Sequence, residues 1–202
     1  MSSTDIYRTI SEQIAQQLRS EILSGQIAEG APLTGEKLAK RFGVSRGPIR
    51  DAVMQLTHEG LLVAEPNVGA KVATGPSEAT HRLVIRVRRL IETFALASIF
   101  EQLTDEDTRQ LGEILDRLRA ACERDDLLGL VGHDMMFHRS ILERTGDRDL
   151  MAIWRPIVVR MMLRYSTHRS LMETYEDHRL IYEAIRTRDK KAALKALSNS
   201  FN

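Results

Sequence analysis

Three side chains in the second half of the sequence have the types and spacing of a metal site. Asp134 and His138 lie four residues apart and share the apolar face of a helical pattern with Phe137. On a second helical pattern, His178 shares a face with Ile181 and also points inward. An inward carboxylate without a partner is costly, and a spacing of one helical turn lets both side chains of the first pattern reach a single ion. These three residues predict a mononuclear metal site in a helical core. The spacing leaves open a hydrogen-bonded Asp–His pair with an unrelated packed histidine.

An arginine on another predicted helix is the second candidate. Arg88 shares the inward face of that helix with Val84, Val87 and Ile91. An inward guanidinium requires a carboxylate, which is supplied either by the protein or by a ligand. Both a ligand-binding arginine and an internal ion pair agree with this pattern.

A local concentration of basic residues nearer the N-terminus indicates a different chemistry. The chain as a whole carries a net charge of +1, but the fifteen residues from Glu36 to Arg50 hold one acid and five basic residues: Lys37, Lys40, Arg41, Arg46 and Arg50. Phosphate neutralisation by such groups supplies much of the affinity of DNA-binding proteins. Charge alone is equally compatible with a solvated helix face.

The elements around these basic residues favour DNA binding. A predicted helix over residues 35–42 is capped by Thr34 and ends at Gly43, and Ser45 caps the next helix, where Pro48 is tolerated in the first turn. Two helices joined by a short turn, the second opening with Arg46 and Arg50, form a helix-turn-helix. An earlier helix, with Ser3 or Thr4 as its cap and Gly25 after its end, is predicted by a repeat every four residues: Ile6, Ile10, Ile14, Leu18 and Ile22.

Two short strands and a linker complete the first domain. Residues 61–64 and 70–73 are apolar and flank a turn-forming segment over residues 65–69. Three helices followed by a hairpin predict a winged helix-turn-helix over residues 1–74, with a linker over residues 75–77.

The remainder, residues 78–202, predicts an all-α bundle of six helices. The fold class is therefore mainly α. One helix opens at a capping box formed by Thr104 and Asp107, and Asp147 and Asp189 are the expected caps of two others. Pro156 is expected to start or kink its helix. The other five predicted helices cover residues 78–102, with Phe94 inward, and 129–144, 148–167, 172–187 and 190–198.

The overall composition limits the class of protein. The 202 residues are 43% hydrophobic and 28% charged, as in an ordinary globular protein. No apolar run reaches the length of a membrane span, and the polar N-terminus does not resemble a signal peptide. Cys122 is the single cysteine, which fits a reducing compartment. We expect a cytoplasmic protein with no membrane partner.

Two stretches resemble a known family over nearly the full chain. The segment from Ile14 to Leu62 is similar to the GntR family of bacterial transcription regulators, over roughly residues 6–73. The stretches "RVRRLIETFAL", "DMMFHRSIL" and "EDHRLIYEAIRTRD" resemble, in order, the FadR-type effector domain called FCD. Six rather than seven helices indicate its VanR-like branch.

The resemblance implies a role for each matching residue. It implies a homodimer, a double-stranded operator with pseudo-two-fold symmetry, and a small organic acid as effector. Arg88 matches the arginine that holds the effector carboxylate. Asp134, His138 and His178 match three of four ligands for a divalent ion of the zinc, nickel or manganese class. The expected DNA-binding residues are Lys37, Ser45, Arg46, Gly47, Pro48, Arg50 and the wing-tip residue Gly69.

Two departures from the family pattern bear on function. Glu36 stands where arginine is usual and Lys37 where glutamate is usual, so either Lys37 takes over the phosphate contact or the operator differs from that of the family. Ser200 stands where the fourth ligand, a histidine, is expected, which predicts either three protein ligands and a water or a weak site.

Three functions remain in competition at this stage. The first is a transcription regulator, expected to be a repressor, that is gated by a small carboxylate near a divalent metal. The second is a metal-dependent hydrolase that uses Asp134, His138 and His178, because three ligands and an open position are typical of a catalytic metal. The third is a DNA-binding protein whose bundle holds no metal.

Overall fold

The chain divides into two compact units, with a boundary in the chain between Pro76 and Ser77 and a short stretch from Met162 that groups with the first unit. The computed structural model describes residues 9–65, 69–163 and 170–201, without the side chain of Leu128. Each unit is built around its own core.

The first unit is a helix-turn-helix with a small sheet. The elements are α1 (Ile10–Leu23), β1 (Pro32–Leu33), α2 (Gly35–Phe42), α3 (Arg46–His58), β2 (Leu62–Glu65) and β3 (Gly69–Val72). The three strands form an antiparallel sheet with the strand order β1-β3-β2, and Val63 of β2 lies opposite Lys71 of β3. The winged helix-turn-helix prediction is confirmed, and β1 is an addition, because two residues are too few to form a sequence pattern.

Capping residues fix the ends of these helices. Thr9 and Glu12 form a capping box at the start of α1; the expected caps Ser3 and Thr4 lie outside the described residues. Thr34 caps α2, as predicted, and Gly43 ends it with a left-handed φ of 66°. Ser45 occupies the N-cap position of α3, but its side chain makes no capping hydrogen bond.

The second unit is an all-α bundle, as predicted. Its described part contains six α-helices: α4 (Glu78–Ile99), α5 (Asp105–Glu123), α6 (Leu127–Arg144), α7 (Arg148–Met162), α8 (Leu171–Arg186) and α9 (Lys190–Asn199). The Thr104–Asp107 capping box is present, and Asp189 caps α9. Helix α7 ends before the predicted residue 167, and residues 164–169 lie outside the described part. Pro156 lies inside α7 rather than at its start.

One inward prediction for α4 is wrong. Phe94 is 61% exposed, on a side of the helix that also carries exposed Leu83 and Leu90. The buried stripe of α4 instead passes through Ile91 and Ala95 and contains two charged residues. The stripe was misplaced because Glu92 was not counted as part of the core beside Arg88.

Candidate functional site

The three predicted metal ligands converge inside the second unit. Helix α6 carries Asp134 and His138, α8 carries His178, and all three side chains are buried. The Nε2 atoms of the two histidines are 3.1 Å apart. The Asp134 Oδ1 atom lies 3.1 Å from Nε2 of His178 and 3.8 Å from Nε2 of His138. Ligand atoms bound at about 2.0–2.1 Å to a tetrahedral ion lie roughly 3.3 Å apart, so this spacing fits one ion.

The polar contacts of the imidazole rings at Nδ1 favour a cation between the rings. Nδ1 of His178 is 2.7 Å from the carbonyl oxygen of Thr174, and Nδ1 of His138 forms a close ion-pair contact of 2.5 Å with a carboxylate oxygen of Glu92, outside ideal hydrogen-bond geometry. Because both oxygens only accept hydrogen bonds, these contacts favour the proton on Nδ1 of each ring. In the neutral rings, both Nε2 lone pairs then face each other and the Asp134 oxygen. Three converging acceptors need a proton or a metal ion between them.

Burial and neighbouring charges shift the pKa of each of the three candidate ligands. Burial alone would raise the pKa of Asp134, but His178, His138 and Arg88 hold it well below its usual range. Burial also opposes the charged form of His178, yet the hydrogen bond to Asp134 raises the pKa of that imidazole. For His138, burial dominates and lowers the pKa, so its ring is neutral. Asp134 and His138 therefore favour the protonation states that metal ligands require, whereas a protonated His178 must release its Nε2 proton when an ion binds.

Glu92 is a functional candidate that the sequence analysis missed. Its Oε2 atom contacts His138, and its Oε1 atom accepts hydrogen bonds of 2.6 Å from Nε of Arg88 and from Nε1 of Trp154. Burial opposes ionisation, but the charge of Arg88 and the contact with the His138 ring lower the pKa of Glu92 to about 2. The spacing of four residues between Arg88 and Glu92 was the available signal for this pair.

Arg88 has its internal partner, and it also adjoins the metal ligands. Besides its bond to Glu92, its Nη2 atom lies 4.0 Å from Oδ2 of Asp134. Its guanidinium also lies 4.9 Å from the ring centroid of Phe201, which is 5.7 Å from the His138 ring. Arg88 therefore forms the internal ion pair with Glu92 and also lies beside the metal-ligand cluster, where the resemblance predicts an effector carboxylate.

The fourth-ligand position departs from the family pattern as expected. The hydroxyl of Ser200 donates to the carbonyl of Leu197 at 2.9 Å and is not part of the group of three ligands. Asp134, His138 and His178 therefore fit a divalent ion with an open coordination position, and imidazole with carboxylate suits zinc, nickel and manganese alike.

The candidate DNA-contacting residues lie at the start of α3 and beside it. Ser45, Arg46 and Arg50 are exposed, whereas Gly47 and Pro48 are half-buried in the first turn. Arg50 has a side chain that is 82% exposed, with a distant contact of 3.7 Å to Asp51. Three charged side chains of α2 are also exposed: Glu36, Lys37 and Lys40. Arg41 instead pairs with Glu21 of α1, which holds the two helices together.

The glycine of the wing has a structural reason for its identity. Gly69 begins β3 with φ of 122°, and a Cβ atom there would lie 2.9 Å from the backbone oxygen of Leu33. Any side chain would therefore disturb the pairing of β1 and β3. Residues 66–68, between β2 and β3 in the chain, lie outside the described residues.

Comparison with known families identifies the class of protein. Residues 10–72 match the bacterial regulatory proteins of the GntR family, and residues 83–202 match the FCD domain. The chain belongs to the GntR family. It is 31% identical to the gluconate operon transcriptional repressor of Bacillus licheniformis, over 94% of this chain and 81% of that protein. It is 26% identical to the transcriptional regulator McbR of Escherichia coli K12, over 92% and 86%.

Solved structures of GntR regulators share the fold. E. coli McbR/YncC superimposes with a TM-score of 0.79 at 24% identity, covering 96% of this chain and 94% of that one. A putative GntR regulator from Rhodococcus sp. RHA1 gives 0.76 at 22% identity, covering 95% and 93%.

The family decides between the regulator and the enzyme. This GntR chain is a bacterial transcription regulator with an FCD domain, and its relatives are regulators rather than enzymes. The hydrolase hypothesis is thereby set aside. Among the described residues, no helix is long and apolar enough to cross a membrane.

Proposed function

We propose that this GntR regulator is a repressor that binds a pseudopalindromic operator as a homodimer and is gated by a small carboxylate beside a divalent metal. The observation that carries the gating proposal is the buried convergence of Asp134, His138 and His178 next to Arg88. Repression is supported by two relatives named as repressors, the gluconate operon repressor and RspR of E. coli, which are 31% and 30% identical.

Operator recognition is assigned to the start of α3. Arg46 and Arg50 are exposed on its first turns, where a recognition helix contacts base edges and phosphates. Lys37 of α2 is exposed and supplies a phosphate contact, while the neighbouring Glu36 repels phosphate. Gly69, at the start of β3, is assigned to the contact of the wing with the minor groove. Ser45, Gly47 and Pro48 set the geometry of the first turn.

The charge of the site favours an anionic effector. Asp134 and Glu92 are negative, Arg88 is positive and the imidazoles of His138 and His178 are neutral as ligands, so the cluster has a net charge of −1. A divalent ion changes this to +1. A buried charge without a counter-ion is costly, and a monocarboxylate bound to the metal and to Arg88 neutralises it. The ion supplies a Lewis-acidic coordination position for that carboxylate, and Arg88 orients it.

Gating then follows from a shift between two bundle conformations. A carboxylate that binds one packing of α4, α6 and α8 more tightly than the other changes their populations. The coupling to operator binding is expected to be about 1–3 kcal/mol, and it is reciprocal.

The test of gating uses the wild-type protein with its operator selected from a random duplex library. Operator affinity is measured by fluorescence anisotropy for the chelated and for the Zn²⁺-loaded protein, each without effector and with each member of a panel of small carboxylates and their uncharged amides. We expect at least one carboxylate to weaken operator binding by the metal-loaded protein by about 5- to 150-fold and to leave operator binding by the chelated protein unchanged. Equal effects of a carboxylate with and without metal would contradict the gating proposal.

The apolar stripe on α4 supports the homodimer. Leu83, Leu90 and Phe94 are 59%, 70% and 61% exposed and recur at helical spacing on one side of α4. A contiguous exposed apolar patch is typical of a protein interface, and a two-fold dimer buries the same stripe on both subunits.

Replacing Leu90 by lysine is expected to dissociate this dimer. The change places two like charges in a symmetric apolar interface, and we expect the dissociation constant to rise by at least about fivefold, as for the loss of an interface contact above about 1 kcal/mol. Sedimentation velocity over a concentration series measures it. Leu180→Lys, at a 52% exposed leucine of α8, is the matched control. A Leu90→Lys protein that dimerises as tightly as the control would exclude α4 from the interface.

A further inference from the structure

We propose that Glu92 is the positioning residue that fixes the tautomer of His138 and thereby makes Nε2 available to the metal. This inference rests on the metal centre of the proposed function and adds a role for a residue outside the ligand set. It arises from the buried contact between Oε2 of Glu92 and Nδ1 of His138, at 2.5 Å.

The two histidines reach the same tautomer by different means. Nδ1 of His178 faces the carbonyl of Thr174 in the preceding turn of its own helix, so the backbone of α8 fixes that ring. The ring of His138 depends on a side chain from α4. A hydrogen-bond partner on the far nitrogen orients a ligating imidazole and raises its basicity. The position of α4 therefore controls one ligand of a site whose ligands come from α6 and α8.

The surroundings of Glu92 require a carboxylate. Its two oxygens face three donors: Nε of Arg88 and Nε1 of Trp154 at Oε1, and Nδ1 of His138 at Oε2. Only an ionised carboxylate offers acceptors on both sides. A glutamine has the same shape, but one of its two ends is a donor.

The glutamine variant therefore makes a distinct prediction. In Glu92→Gln, the amide oxygen is expected to stay with the two donors Arg88 and Trp154, which leaves the amide NH₂ facing Nδ1 of His138. The ring must then accept at Nδ1, and its proton moves to Nε2. A protonated Nε2 has no lone pair for a metal. The variant should lower metal affinity through the tautomer while keeping the volume of the core.

The tautomer is measured directly in the metal-free protein. Long-range ¹H–¹⁵N correlation spectra of histidine-labelled protein report which ring nitrogen carries the proton, and His138→Gln assigns the signals. We expect Nδ1–H for His138 in the wild type and Nε2–H in Glu92→Gln. A wild-type Nε2–H tautomer would overturn the proposal, and this result needs no variant of Glu92 to fold.

Metal affinity gives the second readout. Zn²⁺ affinity is measured by competition with a chromophoric chelator, and we expect Glu92→Gln to lose about 10- to 100-fold relative to the wild type. Trp154→Phe removes another hydrogen bond to Glu92 but leaves the contact with His138, so its affinity should stay within a few-fold. Equal losses in both variants would mean that a loosened core, and not the tautomer, lowers the affinity.

The two proposals fail in different ways. A wild-type protein that does not bind Zn²⁺ contradicts the proposed metal centre, whereas the spectra of the metal-free protein still decide the role of Glu92. A wild type that binds Zn²⁺ together with an equally tight Glu92→Gln variant contradicts the role of Glu92 alone.

Discussion

Replacing Arg50 by alanine is expected to weaken operator binding by about 1–3 kcal/mol if the guanidinium contacts a base, and to lower the salt slope by about 1 if it contacts a phosphate. Arg50 lies on the first turns of α3, with a side chain that is 82% exposed and not part of the core. The change should therefore leave stability within about 0.5 kcal/mol, so that a loss of affinity reports on a lost contact with DNA.

The measurement separates these two kinds of contact. Anisotropy titrations with the selected operator and with a scrambled duplex are repeated from about 50 to 200 mM salt, where phosphate contacts change affinity most clearly. A base contact lowers affinity for the operator alone, and a phosphate contact lowers it for both duplexes. Arg109→Ala removes the same charge from an exposed arginine of α5 that pairs with Glu106 and Glu113, and it is the matched control. Operator binding by Arg50→Ala that equals the control would remove Arg50 from the interface.

The local features of the DNA-binding unit could be predicted because they depend on neighbouring residues. A cap at Thr34 and a left-handed Gly43 are properties of short segments, and the structure contains both. The strand β1 was missed because its formation depends on pairing with β3, more than thirty residues later in the chain. The requirement for glycine at position 69 is also non-local, because the backbone oxygen of Leu33 leaves no room for a Cβ atom there.

In the candidate metal site, too, the local features could be predicted and the features that depend on distant residues could not. Asp134 and His138 were found by their spacing on one helix, and His178 by the face it shares with apolar residues. Glu92 was missed because a charged residue in an amphipathic pattern is read as exposed. Its burial depends on three donors from three different helices, and no single-helix pattern contains that information.

Removing one ligand is expected to abolish the stabilisation that a metal provides. A metal ion present at 100 times its dissociation constant stabilises the protein that binds it by about 2.7 kcal/mol. For a chain of this size, that corresponds to a rise in Tm of roughly 5–11 °C. In His178→Gln we expect the Zn²⁺-induced rise in Tm to be lost and the bound zinc, measured by elemental analysis, to fall far below one ion per chain.

The comparison must be made within each variant, because His178 also has a role without metal. Without metal, the raised pKa of His178 favours the protonated imidazolium, which donates from Nε2 to Oδ1 of Asp134 at 3.1 Å; its loss would leave a buried carboxylate short of a donor. Glutamine supplies an amide NH₂ in place of the imidazole donor. Any remaining change in stability affects the zinc-loaded and the chelated protein alike, so it cancels in the difference between their Tm values. His133→Gln changes a histidine of α6 that is outside the group of three ligands and controls for the loss of an imidazole. If the zinc-induced rise in Tm is the same in His178→Gln, His133→Gln and the wild type, the ion binds elsewhere in the protein. That result would contradict the proposal that a carboxylate effector binds both the metal and Arg88.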